Sequence, residues 1–191
     1  MLLKKQGGSA RTLALGGVLL AVSVTLVLLA SVIPTGKLAL LSLASFTVAI
    51  VVMESGPGTA WIYYLASSLL LFILVANKAV LLVYILFFGF YGIVKYYAER
   101  GSRNGRLRHL AEMAAKLAVF AVCAPASALA TSVVTGIALD QVLGKLEEKL
   151  AGMVWPLTIL ILVLVFLVYD LAFTLFIGYY RDHLRKRSGN A

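Results

Sequence analysis

Thr12–Ile33 reads TLALGGVLLAVSVTLVLLASVI, and the fold follows from it. The stretch carries no charged side chain. A helix rises about 1.5 Å per residue, so roughly 20 apolar residues cross a hydrocarbon core about 30 Å thick. The run is therefore long enough to span a bilayer. Met1–Arg11, short and basic, precedes it in the layout of a secretory signal. Such a signal has an apolar core of only about 7–15 residues, so the expectation is a retained first helix.

Outward from this stretch the same pattern recurs. Apolar runs at Lys37–Met53, Thr59–Ala76, Ala79–Tyr97, Glu112–Ile137 and Trp155–Tyr180 predict five more helices. Pro34-Thr35-Gly36, Glu54-Ser55-Gly56-Pro57-Gly58 and Asn77-Lys78 separate the first four, and proline and glycine are strong breakers of regular structure. Connections this short make neighbouring helices antiparallel. Two other partitions use the same residues: a re-entrant hairpin from the second and third runs, or a merger of the third and fourth around Asn77-Lys78. The expected fold is an all-α integral membrane protein, one six-helix domain over residues 1–191.

Composition agrees. Of 191 residues, 62% are hydrophobic and 13% charged, and the mean hydropathy is +0.99. A soluble domain usually carries about 25% charged residues. This chain has too few to cover a water-facing surface, and too much apolar character to stay disordered. The net charge of +9 would raise the question of nucleic acid in a soluble protein. Here the cations sit in short clusters between apolar runs, which suits lipid headgroups and excludes nucleic acid as the expected partner.

Those clusters set the expected orientation. Lys4, Lys5 and Arg11 precede the first helix. Lys95, Arg100, Arg103, Arg106, Arg108 and Lys116 surround the connection between the fourth and fifth. Arg181, Arg185, Lys186 and Arg187 follow the sixth. All but four of the 17 Lys and Arg residues thus fall on one side of a six-span protein, the other side holding Lys37, Lys78, Lys145 and Lys149. Cytoplasmic loops are enriched in Lys and Arg, so both termini are expected in the cytoplasm, in a multi-pass cell-membrane topology. His109 and His183 lie inside the basic clusters and read as solvated interfacial residues. Residues 139–151 place Leu139, Val142, Leu143, Leu146 and Leu150 at helical spacing against Asp140, Lys145, Glu147, Glu148 and Lys149, an amphipathic external helix.

Enzyme signatures are absent. No phosphate-binding G-x-x-x-x-G-K-[ST], no zinc-binding H-E-x-x-H and no G-x-S-x-G elbow occurs. The single cysteine, Cys123, excludes an internal disulfide and a cysteine-based metal site and reads as a packing residue. Neither a catalytic residue, a metal ligand nor a cofactor is expected.

Two patterns point to binding. Ala10, Ala14, Gly17 and Ala21 fall within a face roughly 60° wide at 100° per residue. Small residues matter in a bilayer because they let helix backbones approach. The face either packs inside this protein or docks another membrane subunit. Polar groups supply the second pattern. Lys37, Asn77 with Lys78, and Asp140 with Trp155 belong to the three external segments and could converge on an anionic or hydrogen-bonding ligand. Interfacial anchoring is the plainer reading, above all for Trp155. Asp170 is the deepest ionisable residue; a carboxylate at that depth is costly unless paired, hydrated or protonated. Trp61, Tyr63 and Tyr64 read as an aromatic belt. The alanine-rich fifth helix, with Pro125 in its middle, reads as closely packed and kinked.

Six spans in this length, cytoplasmic termini and the small-residue face on the first helix together resemble the S components of energy-coupling factor transporters. In that family a six-helix membrane protein captures a vitamin or other micronutrient near its outer face. A transmembrane coupling subunit contacts its first helix through an Ala-x-x-x-Ala type motif, and two ATPases drive transport. The matching positions are Ala10 with Ala14 and Gly17 with Ala21, the latter pair departing by having glycine first. The resemblance implies a small-molecule ligand, a coupling subunit as partner, and a ligand-capping role for the Ile33–Lys37 turn, carried by Lys37. The alternative is a structural or assembly membrane protein similar to the MreD family, whose first helix and basic loops serve partner proteins. Substrate capture requires a cavity with converging polar groups; assembly does not.

Overall fold

A computed structural model describes residues 6–100, 106–136 and 154–180. Among them every regular element is helical: α1 (Gln6–Val32), α2 (Lys37–Ser55), α3 (Pro57–Leu74), α4 (Lys78–Val83), a π-helical turn (Tyr84–Phe88), α5 (Gly89–Arg100), α6 (Arg106–Thr135) and α7 (Val154–Tyr179). Six stretches are long and apolar enough to cross a membrane: Ala10–Val32, Lys37–Ser55, Pro57–Leu74, Lys78–Ala98, Lys116–Val134 and Pro156–Tyr179. The shortest, 18 residues, is about 27 Å long at 1.5 Å per residue, close to the hydrocarbon thickness. The described residues are those of an all-helical, multi-pass membrane protein. The amphipathic segment expected at 139–151 lies outside the described residues.

The third and fourth spans are separate helices. α3 ends at Leu74, where the N–H of Val75 still donates to the Leu71 carbonyl at 2.8 Å, and α4 begins at Lys78. The fourth span is not one regular helix, however; the π-turn interrupts it. The chain divides into two compact units, Met1–Thr131 and Ser132–Ala191.

In the first unit the turns are built from the expected breakers. Gly36 has φ +72°, and Gly56 has φ +86° and ψ 168°, a region open essentially to glycine alone. Gly56 is the only residue between α2 and α3, and Pro57 occupies the first turn of α3, where its missing N–H costs nothing.

Cross-helix hydrogen bonds give the directions. Thr47 on α2 meets Tyr63 on α3 across the Gly56 link, so these helices are antiparallel. Tyr63 bonds Leu19, and Tyr84 bonds both Ser23 and Ser67. The pairs Leu19/Tyr63 and Ser23/Ser67 advance together, so α1 and α3 run parallel. Tyr64 meets Ile85 while Ser67 meets Tyr84, so α3 is antiparallel to the fourth span.

Val48, Val51, Val52, Ala60, Tyr63 and Ile93 form the apolar centre, with Leu19, Leu20, Tyr64 and Tyr96 against it. Lipid tails give apolar side chains no drive to leave them, so this centre holds by dispersion and by the hydrogen bonds around it. Ile62, Leu65, Leu69, Phe72 and Ile73 of α3 point outward. Phe120 of α6 reaches Phe87, with ring centroids 5.7 Å apart in an edge-on arrangement. Pro125 lies inside α6, and Cys123 is half-buried, its carbonyl accepting the Ser127 hydroxyl at 2.6 Å.

In the second unit, α7 has one covered face, made by Phe166, Tyr169, Asp170 and Phe173. Ile161, Leu164, Val165 and Val168 are exposed.

Candidate functional site

The small residues of α1 face out of the protein. Ala10, Ala14, Gly17 and Ala21 are all exposed, and a Cβ placed on Gly16 or Gly17 would meet nothing within 4 Å. The other side of α1 carries the packing, through buried Ser23, Val24, Val27 and Ala30.

The candidate ligand groups are arranged differently. The Asn77 side chain accepts the Val80 N–H at 3.4 Å and caps the start of α4. Lys78 turns back on α3. Its Nζ donates to the carbonyls of Phe72 and Val75 at 2.7 and 2.9 Å and lies 4.8 Å from the Phe72 ring centre. A cation suits a helix C-terminus, where carbonyls lack partners and the dipole is negative. Both side chains thus close the 75–77 turn. Lys37, half-buried at the first residue of α2, has no hydrogen bond to either. Asp140 lies outside the described residues, as does the side chain of Trp155, whose backbone belongs to the first turn of α7.

Asp170 is 7% exposed, on the covered face of α7. Its backbone carbonyl accepts the Thr174 hydroxyl at 2.8 Å. Sequence reasoning missed two further buried charges: Lys95 is 0% and Lys116 6% exposed. Both were counted among the cations around the connection between the fourth and fifth helices, and both are buried. Lys95 follows buried Tyr91 by one helical turn, so the α5 face that carries the tyrosine inward carries the lysine too.

The aromatic-belt reading of Tyr63 and Tyr64 is also corrected; only Trp61 is exposed. The Tyr63 hydroxyl donates to the Leu19 carbonyl at 2.8 Å and lies 2.9 Å from Thr47 Oγ1. The Tyr84 hydroxyl lies 3.2 Å from both Ser23 and Ser67 Oγ. The Tyr64 hydroxyl donates to the Ile85 carbonyl, inside the π-turn, at 3.0 Å. These bonds tie α1, α2, α3 and the fourth span together.

An open groove of about 260 Å³ runs along α7, lined by Ile161, Leu164, Val165 and Val168. With no polar side chain in its wall it suits an acyl chain, not a hydrogen-bonding ligand. Among the described residues no three His, Cys, Asp or Glu side chains gather into a metal-holding group. Comparison of the chain with protein-family models, curated proteins and solved structures finds no match.

Proposed function

We propose that this chain is a non-enzymatic membrane subunit that docks a transmembrane helix of a partner protein on the Ala10–Ala14–Gly17–Ala21 face of α1. The single observation behind this reading is that the four small residues are exposed, with open space beyond Gly16 and Gly17. Against lipid, small side chains gain nothing over large ones. Against another helix they permit backbone approach and the dispersion contacts that drive association in a bilayer.

The sequence admits two forms of this function. The assembly form, similar to the MreD family, is favoured by the use of Asn77 and Lys78 inside their own turn. The substrate-capture form, an S component with a coupling subunit and two ATPases, keeps one observation of its own: Lys37 stands half-buried at the mouth of α2. In both forms the charge bias supports cytoplasmic termini in a prokaryotic plasma membrane. The burial of Lys95 and Lys116 removes two cations from that count without reversing it.

Photo-crosslinking in intact membranes tests the docking. A photoreactive residue at Ala14 should give one defined protein adduct, one at lipid-facing Ile73 none, and Gly17→Leu should abolish the Ala14 adduct. Equal labelling at both sites, or an adduct indifferent to Gly17→Leu, overturns the proposal. Mass spectrometry of the purified protein separates the two forms, because a stoichiometric small molecule is expected only for substrate capture. Impermeant thiol labelling of cysteines placed in each tail checks the orientation.

A further inference from the structure

The fourth span carries one residue more than its helical geometry needs. Leu82, Leu86, Phe90 and Val94 are all only partly buried and recur every fourth residue. On an uninterrupted α-helix such a series drifts by about 40° per step, or about 120° across the set.

The π-turn resolves this. In it the N–H of Gly89 donates to the Tyr84 carbonyl, five residues back. A turn closed this way takes in one extra residue and so rotates the remainder of the span back by about 100°. That brings Ile93 into the cluster of Val48, Val51, Val52, Ala60 and Tyr63.

A side chain from another helix meets the turn. The Tyr64 hydroxyl donates to the Ile85 carbonyl at 3.0 Å. Its ring lies so close over Gly89 that a Cβ there would sit 2.8 Å from Cε2. Tyr64 therefore both supplies a donor to a carbonyl inside the turn and occupies the space beside it.

We propose that Tyr84–Phe88 is a rotational latch: Tyr64 holds the extra residue in a π-turn, and its release lets the turn relax to α-helix and rotates α5 by about 100°, turning Ile93 out of the α2–α3 cluster. The latch is independent of the docking face on α1. It gives the fold one element with two discrete arrangements, set by a single hydroxyl.

Spin labels at Phe90, Val94, Tyr96, Tyr97 and Ala98, each placed singly in a Cys123→Ala background, read the rotation as collision with lipid-dissolved oxygen. In the parent the maximum falls at Tyr97, the most exposed of the series. Tyr64→Phe should move the maximum one residue back, to Tyr96. Deleting Leu86 removes the extra residue itself. The face should then stay on the residue that was Tyr97, and Tyr64→Phe should have no further effect in that background. A Tyr64→Phe pattern unchanged from the parent overturns the latch, and so does a Leu86 deletion that rotates the pattern. Tyr64→Phe alters only one hydroxyl, so a folded protein is expected for the decisive comparison.

Discussion

Gly89→Ala is the smallest change that strikes the interior of the first unit. The added Cβ would lie 2.8 and 2.9 Å from Cε2 and Cδ2 of Tyr64 and 3.1 Å from the Tyr84 carbonyl oxygen. The ring cannot swing aside freely. Its hydroxyl is bonded to Ile85, and Trp61 and Phe90 meet it edge-on at 5.9 and 6.3 Å. Overpacking of this kind costs about 1–3 kcal/mol. Losing the Tyr64 hydrogen bond adds about 0.6 kcal/mol, the mean for polar contacts between membrane helices. Alanine recovers up to about 1 kcal/mol of helix propensity, since Gly89 already has helical angles, φ −66° and ψ −38°. The expected net loss is about 1–3 kcal/mol. Equilibrium unfolding in mixed detergent micelles, followed by circular dichroism, measures it. Gly178→Ala is the control: nothing lies within 4 Å of its added Cβ, so it should be neutral or stabilising by up to about 1 kcal/mol. A double-mutant cycle with Tyr64→Leu should show coupling of about 0.5–3 kcal/mol, as contacting residues do. If Gly89→Ala unfolds like Gly178→Ala, or its effect adds simply to that of Tyr64→Leu, the packing account of the π-turn is wrong.

Other substitutions probe the hydrogen bonds and the buried charges. Tyr84→Phe removes the hydroxyl placed between Ser23 and Ser67 and should cost about 1 kcal/mol in the same unfolding assay; a loss above about 3 would mean the serines have no other outlet, although Ser67 already donates to the Tyr64 carbonyl. Lys78→Met should destabilise by about 1–2 kcal/mol through the lost contacts with the α3 terminus and the Phe72 ring, and Asn77→Ala by about 0.5, at the low end for a cap whose bond is long. If either affected ligand uptake and not stability, the capping assignment would fall. Folded protein treated with an amine-reactive ester should be modified at Lys37 and spared at Lys95 and Lys116, by a factor above about tenfold, because a fully buried lysine survives only with its charge enclosed; mass spectrometry after brief exposure decides.

The number of spans was legible because a bilayer imposes one length on every crossing, and the breakers at Gly36, Gly56 and Asn77 mark the turns in the sequence. The existence of a small-residue face on α1 was legible for the same periodic reason. Its direction was not, since only the neighbours decide whether Ala14 meets a helix or the outside. Lys95 misled because in sequence it adjoins Arg100 and the basic connection, while its setting is fixed by the face it shares with Tyr91. Tyr63 and Tyr64 misled because an amphipathic ring suits a headgroup boundary as well as a carbonyl inside a bundle. The π-turn left no local mark: YILFF contains no glycine or proline, and the side chain that meets it comes from Tyr64, some twenty residues earlier in the chain.

The one-residue link at Gly56 bears on how α2 and α3 stay together. Nineteen residues of α2 and eighteen of α3 are joined through Gly56 alone, so the polar residues at this boundary, Glu54, Ser55 and Thr59, belong to the helix ends themselves. A link this short ties the two helices into one hairpin, in which Thr47 and Tyr63 face each other at 2.9 Å. A spacer of several polar residues at position 56 would loosen that tie and leave each hydroxyl to find its counterpart across a longer loop.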